Sequence, residues 1–431
     1  MRSPFEWLRR IYNRPLLRSV ALLSGSTAAA QGLTVLVAPL LARLYTPEDF
    51  GLLGVFVSIF SILVAINSLR YELAIPLPEE DSSAAHLTVL VILLVIITTV
   101  LFGLLLLAGG DALFAVINAP QLSAYSGLLL ICLLGAGFYL ALNYWAARRK
   151  FFSAIARTKV SQGVSLAGTQ VLFGLLGWQP LGLLLGYKLG QITGCLALAR
   201  LIWQRDADHF RQVNAAQLRE VAVRYRRFPL LANWSSLLNV IGAQLPVIML
   251  TVVYGTQVSG WFSLGQRLIA LPMTLVGASI GQVYFSTASD LARQDPVALN
   301  RFFNRTARRL FWLGLLPMLV IALSGPGLFA LVLGEEWRAA GSYVQIMAPM
   351  FWMQFVVSSL SQNIYVLEWQ GIQFAWDGLR LLVLFALFGL AIVGHYPVEW
   401  LIAGYSAAMF ALYGLLYWLN KRGLHARMRK G

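Results

Sequence analysis

The chain has 431 residues, of which 58% are hydrophobic and 12% charged, and a mean hydropathy of +0.71. Soluble domains carry about a quarter charged residues, so a soluble globular protein is excluded. The formal charge of +15 sits in short groups that border apolar runs, which points to membrane orientation and contact with anionic lipid head groups rather than to nucleic acid.

Long uncharged runs such as Leu87 to Ala108 are apolar on every face. A transmembrane barrel would alternate apolar and polar residues, whereas about 20 continuous apolar residues cross the hydrocarbon as a helix. The predicted fold is therefore an all-α integral membrane bundle of about twelve transmembrane helices. In chain order the spans are 19–44, 48–76, 85–109, 122–147, 154–178 and 180–200, then 228–254, 257–287, 309–333, 342–366, 376–394 and 397–420. Residues 19–44 follow a basic stretch and contain Ala28-Ala29-Ala30, as a cleaved signal would. Their apolar stretch continues too far past the alanines for that, so they are taken as the first span. Tight turns close the pairs at Tyr45-Thr46-Pro47, Gly177-Trp178-Gln179-Pro180, Tyr254-Gly255-Thr256 and His395-Tyr396-Pro397.

Lys and Arg crowd the amino end, the links after spans 4, 6 and 8, and the tail from Lys421, whereas the opposite side has only Arg43 and Arg338. Both termini are expected in the cytoplasm, which requires an even number of spans. The chain also repeats itself weakly. Tyr45 and Gly51 frame the first hairpin, Tyr254 and Gly260 that of spans 7 and 8, and both pairs share one offset (254 − 45 and 260 − 51 are both 209). Residues 1–206 and 228–420 are thus expected to form two six-helix lobes around a central cavity, an architecture of transporters. A basic cytoplasmic linker, 207–227, would join them, and 421–431 would be a basic cytoplasmic tail.

Ionisable groups inside spans are costly and usually face a cavity or a partner. Lys188 lies within span 6, with Gln191 one turn on. Arg267 lies near the middle of span 8 on a face with Gly260, Ser263, Ala270 and Thr274, just before the kink-forming Pro272. Such a face suits the wall of an aqueous cavity. A cation satisfied by carbonyls or snorkelling outward is the other reading. Arg70 and Glu72 fall near the cytoplasmic end of span 2. Two apart on a helix, they would not face each other, so no mutual ion pair is expected. Arg70 could instead meet an anionic head group on its way in.

Polar rows recur at helical spacing: Gln354, Ser358 and Gln362 in span 10, Thr27, Gln31 and Thr34 in span 1, and Asn233, Ser236 and Asn239 in span 7. Any one row could be interhelical glue; three together favour an aqueous path. Catalysis finds little support, because carboxylates are absent from most spans and the pairs Glu79-Glu80 and Glu335-Glu336 fall in links. There is no nucleotide-binding loop, the four histidines have no ligand spacing, and Cys132 and Cys195 suit buried apolar positions. Neither a cofactor nor a metal is expected. Trp178, Trp261, Trp337 and Trp400 are predicted at outer span ends, as an interfacial belt.

Arg43-Leu44-Tyr45-Thr46-Pro47-Glu48-Asp49-Phe50-Gly51 resembles the first hairpin of Wzx-type polysaccharide flippases of the multidrug/oligosaccharidyl-lipid/polysaccharide exporter superfamily. Arg70-Tyr71-Glu72-Leu73-Ala74-Ile75 is similar to an element ending their second span. Gly265-Gln266-Arg267 with Pro272 resembles their eighth span. Leu333-Gly334-Glu335-Glu336-Trp337, with Ala340-Gly341 and Pro349, resembles their link into span 10. The resemblance implies two lobes around a cationic cavity that opens alternately to each side of the inner (cytoplasmic) membrane. The implied substrate is an oligosaccharide repeat unit on undecaprenyl pyrophosphate, used for O-antigen, capsule or exopolysaccharide. Arg267 and Lys188 would meet the diphosphate or an acidic sugar, and Arg70 would stand at the entrance. Gln31, Asn239 and Gln354 would bond sugar hydroxyls while the lipid tail stays among membrane lipids. A polysaccharide polymerase and a chain-length regulator are the protein partners such a role implies; nucleic acid is not one.

A cation-coupled multidrug exporter of the same superfamily is the nearest rival, and embedded carboxylates would favour it. A membrane-embedded polymerase or glycosyltransferase would be expected to carry larger outer or soluble loops than the short links found here.

Overall fold

The computed structural model describes residues 15–367 and 369–428. Arg2, Arg9, Arg10 and Arg14 of the amino end and Arg429 and Lys430 of the tail lie outside the described residues. Among the described residues there is no strand, and the chain runs as long helices joined by short turns. We number them α1 (Pro15–Leu44), α2 (Pro47–Asn67), α3 (Asp81–Val116), α4 (Ser126–Arg148), α5 (Phe152–Leu175), α6 (Leu181–Arg211), α7 (Ala215–Arg224), α8 (Asn233–Gln294), α9 (Pro296–Leu333), α10 (Arg338–Leu360), α11 (Gln370–Gly394) and α12 (Val398–Met428).

Ten segments among the described residues are long and apolar enough to cross a membrane. Two features bring this to the expected twelve. The 62 residues of α8 are broken at Gly255, whose φ of 85° and ψ of 177° no helix accommodates, so they form two spans. The other is α5, whose 24 residues reach about 36 Å at ~1.5 Å each, enough for the ~30 Å hydrocarbon. Its Arg157 and Lys159 lower its hydropathy.

Two compact units divide the chain. One comprises 1–45 and 55–240, the other 46–54 and 241–431, so the first turns of α2 belong with the C-terminal unit. Most of the stretch 207–227 is helical, in the end of α6 and in α7.

Local chemistry explains the starts of these helices. Thr46 N–H donates to Asp49 Oδ2 (2.9 Å) and Asp49 N–H to Thr46 Oγ1 (3.3 Å), a reciprocal cap with Pro47 at the first helical position. Asp295 caps α9 by accepting from Ala298 N–H (2.8 Å), ahead of Pro296. In the N-terminal unit, α5 packs on α1 and α6. Gly182, Gly186, Gly190 and Gly194 recur every four residues along α6. A Cβ on Gly190 would lie 2.6 Å from the carbonyl oxygen of Gln162, and one on Gly194 2.5 Å from its Nε2. Small residues at this spacing let membrane helices approach to backbone contact.

One end of this unit is tied by charge. Trp145 is fully buried, and its Nε1–H donates to Asp206 Oδ2 (3.0 Å). Arg149 donates to Asp206 Oδ1 (2.9 Å) and pairs with Asp81. Arg148 donates to Asp81 Oδ1 (2.9 Å) and to the carbonyl of Pro78 (2.6 Å). The start of α3 and the ends of α4 and α6 are thereby locked together. Asp206→Ala should cost about 1–3 kcal/mol by stranding the buried indole donor, read as a lowered thermal midpoint in detergent, with Asp206→Asn closer to wild type.

In the C-terminal unit α10 packs on α9 and α12, and α12 on α11. Here the two copies of the weak repeat meet. Gly51 abuts the carbonyl of Thr256 and Gly260 that of Pro47, so closely that a Cβ on either would overlap the facing backbone. Residues 47 and 256 differ by the same 209 as the two glycines (256 − 47), so the contact is reciprocal. Trp337 departs from the expected interfacial belt. It is fully buried, edge-on to Phe50 with centroids 5.1 Å apart, because the turn from Gly334 folds it inward. Trp178 and Trp400 are exposed, and Trp261 donates to the carbonyl of Glu336 (2.8 Å). The Glu335 carboxyl is held below the usual carboxylate range by its hydrogen bond from Arg338. Cys132 and Cys195 are buried free thiols.

Candidate functional site

Each unit contains a cavity with a polar row in its wall, and each row is visible in the sequence. In the C-terminal unit, Gln354, Ser358 and Gln362 project from one face of α10 and its following turn. They face Ala270, Gly277 and Gly281 on the second limb of α8 across about 540 Å³. A Cβ on Gly277 would crowd Ser359 Oγ at 3.3 Å, whereas one on Gly281 would meet its nearest neighbours only at 3.8–4.0 Å. Phe351 and Phe355 supply an apolar floor. Among the described residues the lining holds amides, a hydroxyl and aromatic rings but no carboxylate, which suits a neutral hydroxylated ligand with an apolar face.

Arg267 is partly exposed and lies one turn before Ala270 on the same face. The small face around it divides. Gly260 and Ser263 pack against the first turns of α2, where a Cβ on Gly54 would sit 3.0 Å from Ser263 Oγ, so only the part from Ala270 onward lines the cavity. The side chains of Pro272 and Thr274 lie outside the described residues.

In the N-terminal unit, Thr27, Gln31 and Thr34 of α1 face Lys159 and Gln162 of α5 and Tyr187 of α6 across about 270 Å³. Lys159 Nζ donates to Thr27 Oγ1 (3.0 Å). Gln31 Oε1 and Gln162 Nε2 are buried without a hydrogen-bond partner. Lys159, Gln162 and Tyr187 were missed in the sequence. A Lys-x-x-Gln pair on the face of a helix opposite a polar row was the available signal.

The other candidates are dispersed. Lys188 lies on α6, and its side chain, like that of Gln191, is outside the described residues. Asn239 is exposed, whereas Asn233 of the same row is buried. Arg70 lines neither cavity, and the expectation for its pairing is corrected. Helix α2 ends at Asn67, well before residue 76, and Leu69 and Arg70 take left-handed φ values of 50° and 65°. That turn swings Arg70 Nη1 to 3.5 Å from Glu72 Oε1, with Glu72 buried. Helical spacing therefore does not govern the pair. Ser68 Oγ also donates to Glu72 Oε2 (2.6 Å).

A second embedded cation went unnoticed in the sequence. Arg380 of α11 is buried, 3.4 Å from Asp377 Oδ1 one turn earlier, and its guanidinium stands 5.1 Å from the Trp376 ring centre. Gly242 makes the space, since a Cβ there would lie 2.8 Å from Arg380 Cζ. An Asp-x-x-Arg pair within an apolar run was the signal.

Residues 40–342 match the family described as polysaccharide biosynthesis protein. The chain belongs to this family. No curated protein matches it. Among solved structures, this family member superposes on an inward-facing multidrug resistance MATE family transporter of the MOP superfamily. The TM-score is 0.74 at 15% identity, over 94% of this chain and 96% of the other. A MOP superfamily transporter from Pyrococcus furiosus, described as having a binding pocket of reverse polarity, gives 0.59 at 14% identity over 95% and 96%. The Vibrio cholerae MATE transporter VcmN gives 0.58 at 12% identity over 96% and 97%. At such identities the likeness shows the fold. This member of the polysaccharide biosynthesis family is thus a multi-pass membrane protein with the helical fold of MOP superfamily transporters.

Proposed function

We propose that the chain is a flippase for an oligosaccharide repeat unit linked to undecaprenyl pyrophosphate. It would work by alternating access across the cytoplasmic membrane, with both termini in the cytoplasm, to supply O-antigen, capsule or exopolysaccharide. The observation that carries this reading is the 540 Å³ cavity with Gln354, Ser358 and Gln362 on one wall and Ala270, Gly277 and Gly281 on the other. Amides and a hydroxyl at four-residue spacing bond successive sugar hydroxyls, and the ring faces of Phe351 and Phe355 suit the apolar faces of pyranose rings. Arg267 on the adjoining turn supplies a charge-assisted partner for the diphosphate or an acidic sugar. The carrier's lipid tail never needs to leave the bilayer.

A multidrug exporter that binds lipophilic cations calls for an acidic lining, and neither cavity has one among the described residues. The reverse pocket polarity described for the Pyrococcus furiosus relative is in keeping with substrate charge varying on this fold.

The test is transbilayer movement of a fluorescent undecaprenyl-diphosphate oligosaccharide in liposomes holding purified protein. Wild type should accelerate it, and Arg267→Ala and Gln354→Ala should each slow it while folding is retained. A lost hydrogen bond to a charged group is worth about 1.5–3 kcal/mol, so the arginine variant should fall by roughly 10- to 100-fold. No movement of any lipid-linked glycan, together with saturable efflux of a cationic dye, would overturn the proposal in favour of drug export.

A further inference from the structure

We infer that the C-terminal unit holds the isoprenoid tail of the carrier lipid in an apolar groove of about 480 Å³ beside the polar cavity. The assignment of this occupant rests on the flippase reading above. Three helices form the groove: the second limb of α8 with Leu268, Ile269 and Val276, α9 from Leu313 to Ile321, and α10 with Ala348 and Trp352. Among the described residues its lining holds no ionisable side chain. The one side-chain donor there, the Trp352 indole, is already committed to the carbonyl of Phe311 (3.0 Å). Leu313 and Leu316 are exposed, and α9 is the least buried of the ten long apolar segments. An exposed apolar face on a span meets hydrocarbon, so the groove opens sideways into the bilayer.

The local sequence makes the recess. Gly314 brings α9 against α10, since a Cβ there would lie 2.9 Å from Phe355 Cδ1 and 3.0 Å from Trp352 Cδ1. Pro317 cannot donate to the carbonyl of Leu313 four residues earlier, which interrupts the helix ladder inside the groove. Trp352 is held by its hydrogen bond and by Phe311, whose ring centre stands 4.3 Å away. The aromatic wall is therefore in place before any chain enters.

Within a bilayer the hydrophobic effect offers no net drive, because lipid chains are as apolar as leucine. A groove open to lipid is filled, and fit and tethering choose its occupant. Met273, Phe351 and Phe355 line both the groove and the polar cavity, so a head group in one stands beside a chain in the other. Binding the head group makes entry of its own tail an intramolecular event, favoured over an untethered acyl chain. Arg267, assigned to the diphosphate above, directly precedes Leu268 and Ile269 of the groove and lies one turn before Ala270 of the cavity. The diphosphate is likewise the covalent junction between sugar and tail, so the order on the helix matches the order along the ligand. Branched side chains and rings also make an indented wall. The methyl branches of an isoprenoid fill its hollows, where a straight chain forfeits contacts, and Met273 and Met318 adapt to their spacing.

Binding of undecaprenyl phosphate, which carries no sugar, to purified protein in phosphatidylcholine nanodiscs tests the groove apart from transport. Val276→Trp and Leu316→Trp each fill it from an exposed position, on facing helices, and should weaken binding tenfold or more. Leu323→Trp, exposed on α9 outside the groove, should bind as wild type does. Farnesyl phosphate should displace the bound lipid at least tenfold better than dodecyl phosphate, whose main chain is equally long but unbranched. Equal binding by all four proteins, or equal displacement by the two phosphates, would mean that the groove takes any chain and would overturn the proposal. In liposomes, both groove variants should slow flipping of the undecaprenyl-diphosphate oligosaccharide tenfold or more. Wild-type flipping by both would overturn the groove and leave the flippase reading standing. Undecaprenyl phosphate binding that the groove variants lose, in a protein that moves no glycan, would keep the groove and sink the flippase reading.

Discussion

Gly51→Ala and Gly260→Ala should each reduce the yield of monodisperse, folded protein by tenfold or more, and Gly51→Leu should abolish it. The reason is backbone contact. The first turns of α2 and the opening turns of the second limb of α8 cross where Gly51 meets Thr256 and Gly260 meets Pro47, with no room for a methyl group on either side. Side chains can change rotamer to admit an added carbon, but a carbonyl within a helix moves only with its helix. Both helices are anchored, α2 by its Thr46–Asp49 cap and by Phe50 against Trp337. A displacement would therefore be transmitted into the core of the unit, and core strain belongs to the few mechanisms that cost more than about 4 kcal/mol. The control is Gly168→Ala on α5. A Cβ there meets nothing within 4 Å, so the substitution should be neutral or gain up to about 1 kcal/mol from helix propensity. Because both glycines serve one crossing, the double variant should be less than additive. Size-exclusion profiles and thermal midpoints of wild type and the five variants would check this; wild-type behaviour of Gly260→Ala would show that the crossing is looser than its geometry.

This contact also explains why the repeat was faint in the sequence. Only the residues that meet at the crossing, the glycines and the turns two residues beyond each tyrosine, are constrained to match. The tyrosines themselves go separate ways, Tyr45 donating to the carbonyl of Gln170 (2.7 Å) and Tyr254 to that of Tyr396 (2.6 Å). Lipid-facing positions need only be apolar and carry no such memory.

Where periodicity decides, the residues were legible. Gln354, Ser358 and Gln362, and Thr27, Gln31 and Thr34, were visible as rows because a helix face repeats every three to four residues, and both rows line cavities. Illegible features arose where that periodicity stops or where charge was read only by position along the chain. Arg70 and Glu72 pair because the helix has already ended. Lys159 follows closely on the basic group Arg148 to Lys150, so its charge carries no signal of its own in the sequence; α5 starts at Phe152 and carries it inward. Trp337 had the composition of an interfacial anchor, and only the turn at Gly334 directs it into the core. The partner of a buried charge on another helix, such as Gly242 beneath Arg380, has no signature in a single sequence.

Asp377→Ala should be the most damaging single polar change in the C-terminal unit, and a second substitution should rescue it. Asp377 is 1% exposed and Arg380 7%, and Asp377 Oδ2 also accepts from Gln373 Nε2 (3.1 Å). Removing one partner of such a pair leaves the other charge buried without its counter-ion, at a cost of about 3–5 kcal/mol. Replacing both by apolar residues of similar volume removes the cost of desolvating either charge, and such exchanges are often neutral. Asp377→Leu with Arg380→Met should therefore recover most of the stability lost by either single change, giving a coupling energy of at least about 2 kcal/mol across the double-mutant cycle. The methionine would keep the guanidinium's place against Gly242 and Trp376 with a flexible apolar chain, whereas Gly242→Leu should destabilise wild type by pushing on Arg380 and do so less in the double variant. Thermal unfolding of the purified variants checks the cycle. Additive single effects would mean that each residue is held mainly by other partners, and that the 3.4 Å contact contributes little to the fold. Rescue of stability together with wild-type flipping would assign the pair to architecture alone. Rescue of stability with loss of flipping would place the pair among the charges that the transport cycle uses.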